Sequence, residues 1–289
     1  SLQDVSLTYR ALPALLSINW MIERGQQWAC LGPNSAGKTS LAKVISRQAT
    51  HASGTTQRSS QLSERGVAYV CFEQQKALCD RDKKLDDSEF RADVSDPGTR
   101  IIDLILQGKP ADKQFEDWVE RLNIGHILQR GLRFVSTGEM RKTLLIKAIL
   151  SNPGLLILDS PLDGLDLASQ KELRHIIDEL LHSTLPLLLL CRQVEDVPEG
   201  ITHLLVLDRG EVFATGPRKS ILQNSDVQAL MNPPIAALEK LPPPAPRDYQ
   251  LPEEDIPLIK LQNVSVSYGE LKVLQNVNWN FARGQHSSV

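Results

Sequence analysis

A glycine-rich segment, residues 32–39 (GPNSAGKT), constrains this chain more than any other feature. It fits the pattern G-x-x-x-x-G-K-[ST] and lies between an apolar run at 28–31 and a segment predicted to be helical at 39–47. Glycines at these spacings let backbone amides point into one concavity, and with the following helix N-terminus they attract phosphate. The segment therefore predicts a phosphate-binding loop in which Lys38 reaches the β- and γ-phosphates and the Thr39 hydroxyl ligates Mg²⁺. The alternative is a plain glycine-rich turn before a helix.

An internal repeat is the second strong signal. Residues 2–9 (LQDVSLTY) return as residues 261–268 (LQNVSVSY), and the match continues at a constant offset of 259 residues. Further along, Asn19-Trp20 matches Asn278-Trp279, and Arg24-Gly25-Gln26 matches Arg283-Gly284-Gln285. A constant register with Trp and Tyr aligned favours duplicated modules over a coincidental likeness of two amphipathic strand pairs. We therefore expect one module that runs into the glycine-rich loop, followed by the start of a second.

A proline-rich segment separates the two copies. Its prolines are Pro233, Pro234, Pro242, Pro243, Pro244, Pro246 and Pro252. Proline at this density interrupts helices and central strands, so the segment is predicted to be a stiff, extended linker. The sequence thus predicts a first domain at 1–230, a linker at 231–257 and the initial strands of a second domain at 258–289.

The apolar pattern of the first module predicts an α/β fold. Strands are predicted at 5–9, 18–22, 28–31, 67–72, 155–158 and 187–190, with a hairpin formed by 204–207 and 212–214. Helices are predicted at 39–47, 101–107, 115–122 and 138–150, and the charged stretch 80–96 is predicted to be a solvated loop. Continuously apolar strands are typical of a parallel sheet that is covered on both faces. The element order indicates a mostly parallel sheet, an N-terminal antiparallel subdomain and an inserted helical subdomain.

Charge and composition exclude some classes of partner. The net charge of −3 supplies no general attraction for nucleic acid, and no nucleic acid is expected as a partner. No apolar run approaches the ~18 residues of a membrane-spanning helix, and the longest run is 185–191. The four cysteines form no C-x-x-C pair and have no accompanying His cluster, which favours reduced, structural thiols in a cytosolic protein.

Two further segments carry candidate binding groups. The apolar run 155–158 is followed by Asp159, and a carboxylate at the end of a buried strand can hold Mg²⁺ beside the phosphate loop, although such an aspartate is also a common turn or cap residue. Ser136 and Gly138 precede a predicted helix and offer a hydroxyl and backbone amides suited to a γ-phosphate. The alternative for this segment is a plain helix cap formed by Ser136 and Glu139.

The three elements together resemble the ATP-binding-cassette (ABC) ATPases. The phosphate loop is followed by 135–139 (VSTGE), similar to the L-S-G-G-Q signature of that family, and by 155–159 (LLILD), similar to its Walker B strand. Leu165-Asp166 resembles the D-loop of the family. The resemblance covers residues 1 to about 224. The segment STGEMRK, the segment PLDGLD and the duplicated layout are most similar to the ModF-type ATPases, tandem cassettes associated with molybdate transport.

The resemblance implies roles for particular residues, with ATP and Mg²⁺ as cofactors. Gln74 resembles the Q-loop glutamine, with Gln75 an equal rival on spacing, and Tyr9 resembles the aromatic residue that stacks on adenine. Lys38, Asp159 and Gln74 are the implied catalytic residues, and Thr39, Gln74 and Asp159 are the implied metal ligands. The residues implied to contact the nucleotide are Tyr9, Gly32, Asn34, Ser35, Ala36, Gly37, Lys38, Thr39, Ser40, Ser136 and Gly138.

Two positions depart from the family pattern. The general base of the family is a Glu directly after the Walker B Asp, and this chain has Ser160 there. A neutral hydroxyl cannot take a proton from water as a carboxylate does, and such transfer is worth roughly 10²–10⁴ in rate. The switch His of the family is replaced by Arg192, which stays protonated and accepts no hydrogen bond. We therefore expect slow hydrolysis of bound ATP, with Arg192 either stabilising a phosphate or pairing with a nearby acid.

The resemblance also implies partners. ABC modules work as head-to-tail pairs, so Ser136 and Gly138 would complete the site of a second module, in a longer polypeptide or in another copy of this chain. One interpretation is a transporter ATPase that docks on a membrane permease near Gln74 and the helical subdomain, in the cytoplasm or on the inner face of the plasma membrane. The alternatives are a soluble tandem protein acting as an ATP-driven clamp or regulator, and another P-loop enzyme such as a kinase, against which 135–139 and the repeat argue.

Overall fold

The structure, a computed structural model, describes residues 1–10, 12–50, 52–84, 98–232, 257–268 and 271–281. The chain divides into two compact units, Ser1–Pro234 and Ile235–Val289. The strands are β1 (Leu2–Tyr9), β2 (Leu12–Trp20), β3 (Trp28–Leu31), β4 (Ala52–Thr56), β5 (Val67–Val70), β6 (Leu155–Asp159), β7 (Leu187–Leu190), β8 (His203–Asp208), β9 (Glu211–Pro217), β10 (Ile259–Tyr268) and β11 (Leu271–Phe281). The helices are α1 (Lys38–Ile45), α2 (Ser60–Arg65), α3 (Phe72–Lys84), α4 (Ile101–Leu106), α5 (Lys113–Arg121), α6 (Thr137–Leu150), α7 (Leu167–Leu181), α8 (Arg218–Leu222) and α9 (Ser225–Met231). Within these ranges, no helix combines the length and the apolar character that a bilayer crossing requires.

A six-stranded sheet forms the centre of the larger unit. Its strand order is β5-β6-β7-β3-β8-β9, and every neighbouring pair is parallel except β8 and β9. The central strands β3, β6 and β7 are buried almost throughout, as expected for apolar strands that helices cover on both faces. Because β6, β7 and β3 are adjacent and parallel, the loops that follow them lie at the same edge of the sheet. The predicted α/β class and mostly parallel sheet are confirmed.

The predicted N-terminal antiparallel subdomain is a three-stranded sheet of order β2-β1-β4. Its inner face is apolar, and Val5, Leu7, Leu15 and Ile18 are at most 1 % exposed. These side chains belong to one hydrophobic cluster with residues of helix α1, β3 and β7. The cluster therefore packs α1, and the loop that precedes it, between the two sheets.

The predicted helical subdomain lies between β5 and β6 in the chain. Its core is formed by side chains of α4, α5 and α6 such as Ile101, Phe115 and Met140, which are at most 4 % exposed. Helix α5 begins where Asp112 Oδ1 accepts a hydrogen bond of 2.8 Å from the Phe115 backbone N–H. Helix α6 carries the VSTGE segment at its N-terminus and leads directly to β6.

Some predicted boundaries are wrong. The predicted strand 67–72 ends at Val70, where pairing with β6 ends, and Phe72 begins helix α3. The predicted loop 80–96 is helical as far as Lys84, because the end of α3 places Arg81, Lys83 and Lys84 near its C-terminal carbonyls, a favourable position for cations. Residues 85–97 lie outside the described residues. Strand β2 replaces the predicted strand 18–22, because it pairs with β1 from Leu12 to Trp20.

Several elements of the first unit were not predicted at all. They are β4, α2, α7, α8 and α9. The longest is α7, which begins where Asp166 Oδ1 accepts a hydrogen bond of 3.0 Å from the Ser169 backbone N–H. Its residues Leu173, Ile176, Ile177 and Leu180 are at most 4 % exposed, a spacing typical of one buried helix face.

The smaller unit contains a hairpin, β10–β11, that repeats the geometry of β1–β2. Every Cα pairing between β1 and β2, from Leu2 with Trp20 to Tyr9 with Leu12, recurs 259 residues later between β10 and β11. Asn19 Oδ1 accepts from the Asp4 N–H at 3.0 Å, and Asn278 Oδ1 accepts from the Asn263 N–H at 2.8 Å. The repeat in the sequence therefore corresponds to a repeat in backbone register. The linker at 233–256 and the repeated residues 283–285 lie outside the described residues.

Candidate phosphate-binding site

The predicted phosphate loop connects the buried strand β3 to helix α1, which begins at Lys38. Gly32 has a φ of 153° and Gly37 a φ of 105°, in a region that side chains with a Cβ avoid. A Cβ on Gly32 would lie 2.3 Å from the Leu207 carbonyl oxygen, and a Cβ on Gly37 would lie 2.8 Å from that of Ala14. The loop therefore needs glycine at both positions, for its backbone conformation and for its close packing.

Lys38 is the buried cation of the loop, at 8 % exposure. Its ammonium donates hydrogen bonds to the Gly32 oxygen at 2.7 Å and the Pro33 oxygen at 2.9 Å. Burial lowers the pKa of Lys38 and nearby Arg192 lowers it further, whereas Cys30 and Asp159 oppose the shift. The ammonium is thus held by carbonyl oxygens of the same loop that is predicted to bind phosphate.

Thr39 and Asp159 come together at the edge of the sheet. Thr39 Oγ1 donates a hydrogen bond of 2.8 Å to Asp159 Oδ2, and the Tyr69 hydroxyl donates one of 2.9 Å to the same oxygen. Burial raises the pKa of Tyr69, and the negative charge of Asp159 raises it further, so the phenol stays a donor. The hydroxyl and the carboxylate form a pair of hard oxygen ligands of the kind that Mg²⁺ prefers.

Ser160 and Arg192, the two departures from the family pattern, both lie beside this pair. Ser160 adopts a φ of 47°, and its N–H donates to the Leu190 oxygen at 3.0 Å. The Arg192 guanidinium lies 3.2 Å from Asp163 Oδ2, with the two side chains 48 % and 39 % exposed. Arg192 therefore pairs with a nearby acid, one of the two roles that the sequence left open.

Arg141 holds the loop after β6 in place. It lies on helix α6, and its guanidinium donates to the carbonyl oxygens of Ser160, Pro161 and Asp163, at 2.8 Å for the first of these. Burial lowers the pKa of Arg141, and the charge of Asp163 opposes the shift. The planar guanidinium, with its several N–H donors, suits such a set of acceptors.

A cavity of about 440 Å³ lies over the phosphate loop. Its lining residues are Tyr9, Leu12, Pro13, Ala14, Asn34, Ser35, Ala36, Gly37, Lys38, Thr39, Ser40, Asp159, Ser160 and Arg192. Most of the predicted nucleotide contacts thus surround one space, including Tyr9, which is 42 % exposed at the end of β1. Of the other predicted site residues, Gly32 lies at the base of the loop, and Gln74, Ser136 and Gly138 are not among the lining residues.

Gln74 and its rival Gln75 both lie in the first turn of helix α3. Gln74 is half-buried, and its backbone N–H donates to the Cys71 thiol. Gln75 has a buried Oε1 with no hydrogen-bond partner among the described residues. The metal-ligand and catalytic roles implied for Gln74 stay predictions, because this geometry leaves it outside the cavity.

Ser136 forms the helix cap that was the alternative for its segment. Ser136 Oγ accepts from the Glu139 N–H at 3.2 Å, and Glu139 Oε2 accepts from the Ser136 N–H at 2.7 Å, a capping box at the start of α6. Gly138 is buried, and a Cβ there would lie 3.1 Å from Ser169 Oγ. A role for these residues toward a phosphate stays a prediction, because they are not among the residues that line this cavity.

Sequence analysis missed Tyr69, Arg141 and Asp163. Tyr69 is the polar residue in the predicted strand 67–72, next to a strand that ends in a carboxylate, and that neighbourhood was the available signal. Asp163 lies in the segment PLDGLD and Arg141 in the segment STGEMRK, both of which resemble family motifs. A motif does not reveal which carbonyl oxygens the long side chain of an arginine reaches.

A mostly parallel sheet followed by a glycine loop that holds the Lys38 ammonium and brings Thr39 to Asp159 defines the P-loop nucleotide-binding class. The chain belongs to the ABC transporter family, whose model matches residues 15–163. It is therefore an ATP-binding cassette, and members of this family bind and hydrolyse ATP.

Known proteins agree with this assignment. The chain is 31 % identical over 271 residues to the ABC transporter ATP-binding protein ModF of Escherichia coli (strain K12), an alignment that covers 93 % of this chain and 54 % of ModF. It is 27 % identical over 238 residues to the zinc import ATP-binding protein ZnuC of Paramagnetospirillum magneticum, covering 82 % and 84 % of the two chains. The chain thus spans about half the length of ModF.

Solved structures show the same fold. A nucleotide-free ATP-binding cassette from an ABC transporter superposes with a TM-score of 0.60 at 18 % identity, covering 79 % of this chain and 96 % of the other. The ADP conformation of the ATP-binding cassette MJ1267 gives a TM-score of 0.56 at 16 % identity, covering 80 % and 94 %. The predicted cassette architecture is confirmed.

Proposed function

We propose that the first unit binds ATP with Mg²⁺ in the cavity over the phosphate loop and hydrolyses it slowly. The observation that carries this proposal is the convergence of Lys38, Thr39 and Asp159 on one cavity, with Ser160 where a carboxylate base would stand. Oriented loop amides and the buried ammonium supply the attraction for the triphosphate.

Thr39 and Asp159 fit Mg²⁺, since a hydroxyl and a carboxylate are hard oxygen donors. When bound, the ion would neutralise charge on the β- and γ-phosphates. The roles of the chain's own residues are to bind and orient: Lys38 holds phosphate oxygens, and Tyr9, at the rim, stacks on the base.

Slow turnover follows from the residue after Asp159. Ser160 Oγ lies 3.5 Å from Asp159 Oδ1, and a hydroxyl in this position cannot hold a proton taken from water. We infer that ATP held by this module serves mainly to close a pair of modules, and that faster hydrolysis takes place at the partner's site.

The partner proposed is a second cassette of a longer polypeptide, with a head-to-tail pair of two copies of this chain as the alternative. Support for the tandem arrangement comes from the hairpin β10–β11, which reproduces the register of β1–β2, and from ModF, of which the alignment covers 54 %. In such a pair Ser136 and Gly138 would face the nucleotide of the other module.

The proposed biological role is to energise or regulate a transporter through a separate membrane permease. The family match and the printed names of ModF and ZnuC support it, and the resemblance to the ModF-type ATPases makes molybdate the first cargo to test. The protein would then act at the cytoplasmic face of the plasma membrane. A soluble clamp or regulator is the competing role, and co-purification with membrane proteins separates the two.

Binding is tested by equilibrium dialysis of this chain against labelled Mg-ATP. Lys38→Ala should weaken binding by about 10- to 100-fold, the range for losing charged hydrogen bonds, whereas Lys43→Ala on the same helix should leave it unchanged. Unaltered affinity in Lys38→Ala would contradict the proposal.

Turnover is tested by ATP hydrolysis in a longer polypeptide that includes a second module. Ser160→Glu should raise the rate assigned to this module by about 10²-fold or more, because it supplies a general base. Ser160→Gln is the matched control, of similar size but unable to take a proton. Equal rates for the two variants would contradict the role given to position 160.

A further inference from the structure

Arg192 both lines the cavity over the phosphate loop and forms an ion pair. Its side chain lines the cavity over the phosphate loop together with Lys38, and its Nη1 lies 3.2 Å from Asp163 Oδ2. Because both cations line the same cavity, their like charges repel each other. A polyphosphate between them would relieve that repulsion.

The backbone around Asp163 is anchored by hydrogen bonds, whereas the guanidinium of Arg192 is at the end of a long side chain. Asp163 lies on the loop that Arg141 holds through three carbonyl oxygens, and its own N–H donates to the Ser160 oxygen at 3.2 Å. Arg192 has a long side chain that is 48 % exposed. A change of partner therefore requires new rotamers of Arg192 and no movement of the loop.

The strength of the pair makes such a change feasible. Ion pairs at this exposure contribute little to stability, because water screens them and two side chains must be ordered. A terminal phosphate carries more charge than one carboxylate and offers several oxygens to a guanidinium fork. A phosphate in the cavity is therefore a stronger acceptor for the Arg192 guanidinium than the Asp163 carboxylate is.

We propose that Arg192 exchanges Asp163 for the γ-phosphate, the terminal phosphate of bound ATP, so that Asp163 competes for Arg192 and sets the affinity for ATP and the preference for ATP over ADP. This inference rests on the proposed ATP binding. Asp163 is a positioning residue here, since it acts only through Arg192.

The test is a double-mutant cycle on this chain, with affinities for ATP and for ADP measured by equilibrium dialysis in Mg²⁺. Asp163→Asn should tighten ATP binding by about two- to fivefold, the scale of a half-exposed ion pair, and change ADP binding less. Arg192→Met should weaken ATP binding by about tenfold, with a smaller effect on ADP. In the Arg192→Met background, Asp163→Asn should have no further effect.

Two controls separate the exchange from other causes. Asp103→Asn removes the same charge from an ion pair with Arg100 in the helical subdomain and should leave both affinities unchanged. Arg192→Lys keeps a cation without the fork and should retain part of the ATP preference.

The outcomes are distinct. Equal tightening by Asp163→Asn with and without Arg192 would overturn the exchange, because the carboxylate would then act by general repulsion of the nucleotide. Equal losses of affinity for ATP and for ADP in Arg192→Met would overturn the contact with the γ-phosphate.

If the unaltered chain failed to bind ATP, both the proposed function and the exchange would be refuted. Binding that depends on Lys38 but not on Arg192 would overturn the exchange alone.

Discussion

Tyr69 and Thr39 share a single acceptor, Asp159 Oδ2, at 2.9 Å and 2.8 Å. This arrangement ties strand β5 and helix α1 to the end of β6. A carboxylate predicted to serve a metal ion thus also joins three elements of the fold, so substitutions around it affect both stability and binding.

Tyr69→Phe should lower the free energy of unfolding by about 1.5 kcal/mol, because it removes a hydrogen bond to a charged group in a largely buried setting. Urea unfolding measures the change. Tyr9→Phe is the matched control: its hydroxyl is on a residue 42 % exposed at the cavity rim, and the change should stay within about 0.5 kcal/mol. Equal effects of the two substitutions would refute the importance of the bond to Asp159.

Arg141→Lys should destabilise the first unit by about 2 kcal/mol, since a single ammonium cannot replace a fork that serves the carbonyls of Ser160, Pro161 and Asp163. Amide hydrogen exchange of Ser160, Leu162 and Asp163 should accelerate in the same variant. Arg100→Lys, at an exposed ion pair with Asp103, is the control and should change stability by less than about 0.5 kcal/mol. Unchanged exchange in the loop would speak against the clamp.

Gly32→Ala should prevent stable folding of the phosphate loop, because the new Cβ would lie 2.3 Å from the Leu207 carbonyl oxygen. Gly108→Ala makes a good comparison: its φ is 83°, but a Cβ added there would meet no other atom of the described residues within 4 Å. It should therefore cost only the backbone strain, about 1 kcal/mol. Thermal unfolding distinguishes the two, and similar melting temperatures would contradict the steric explanation.

The capping box of α6 predicts a dependence of stability on pH. Burial alone would raise the pKa of Glu139, but hydrogen bonds from Ser136 and the contact with His126 outweigh it, so the folded-state pKa is lowered from 4.5. A carboxylate with a depressed folded-state pKa contributes stability that is present above its unfolded pKa and is lost as the pH falls through the folded value. Acid should therefore destabilise this helix below about pH 4.5.

Glu139→Gln tests this linkage, since glutamine can form the same capping box without titrating. Stability near pH 7 should fall by about the amount that neutralising Glu139 costs the unaltered chain in acid, and that part of the acid-induced loss should disappear. Chemical unfolding at a series of pH values from 3 to 7 measures both the stability at pH 7 and its loss in acid. Differences of about 0.5 kcal/mol in the free energy of unfolding should be resolved. An acid loss identical to that of the unaltered chain would exclude Glu139 as its source.

The features that local sequence determines were predicted well. The phosphate loop follows from residues 32–39, and the parallel sheet follows from apolar runs such as 187–190, because both depend on neighbouring residues. The end of β5 at Val70 was not predictable in the same way, since it is set by where pairing with β6 stops. Helix α3 continues through charged residues that, in isolation, are equally typical of a loop.

The contacts around the site depend on side chains that reach across elements. Arg141 donates to carbonyl oxygens of residues 19 to 22 positions further along the chain. Arg192 pairs with Asp163, and helix α7 lies between these two residues in the sequence. No spacing rule links such pairs, because the separation reflects the length of the intervening helix and strand. The pairing of Arg192 with an acid was foreseen only as one of two roles, without its partner.

Lys38 and Arg192 each already donate hydrogen bonds to oxygens of the protein. Phosphate oxygens would replace these acceptors, so the number of hydrogen bonds would change little on association. The enthalpy released would then be modest for so many contacts, and much of the affinity would come from water and counterions set free around the triphosphate. A calorimeter would register a smaller heat than a simple count of contacts suggests.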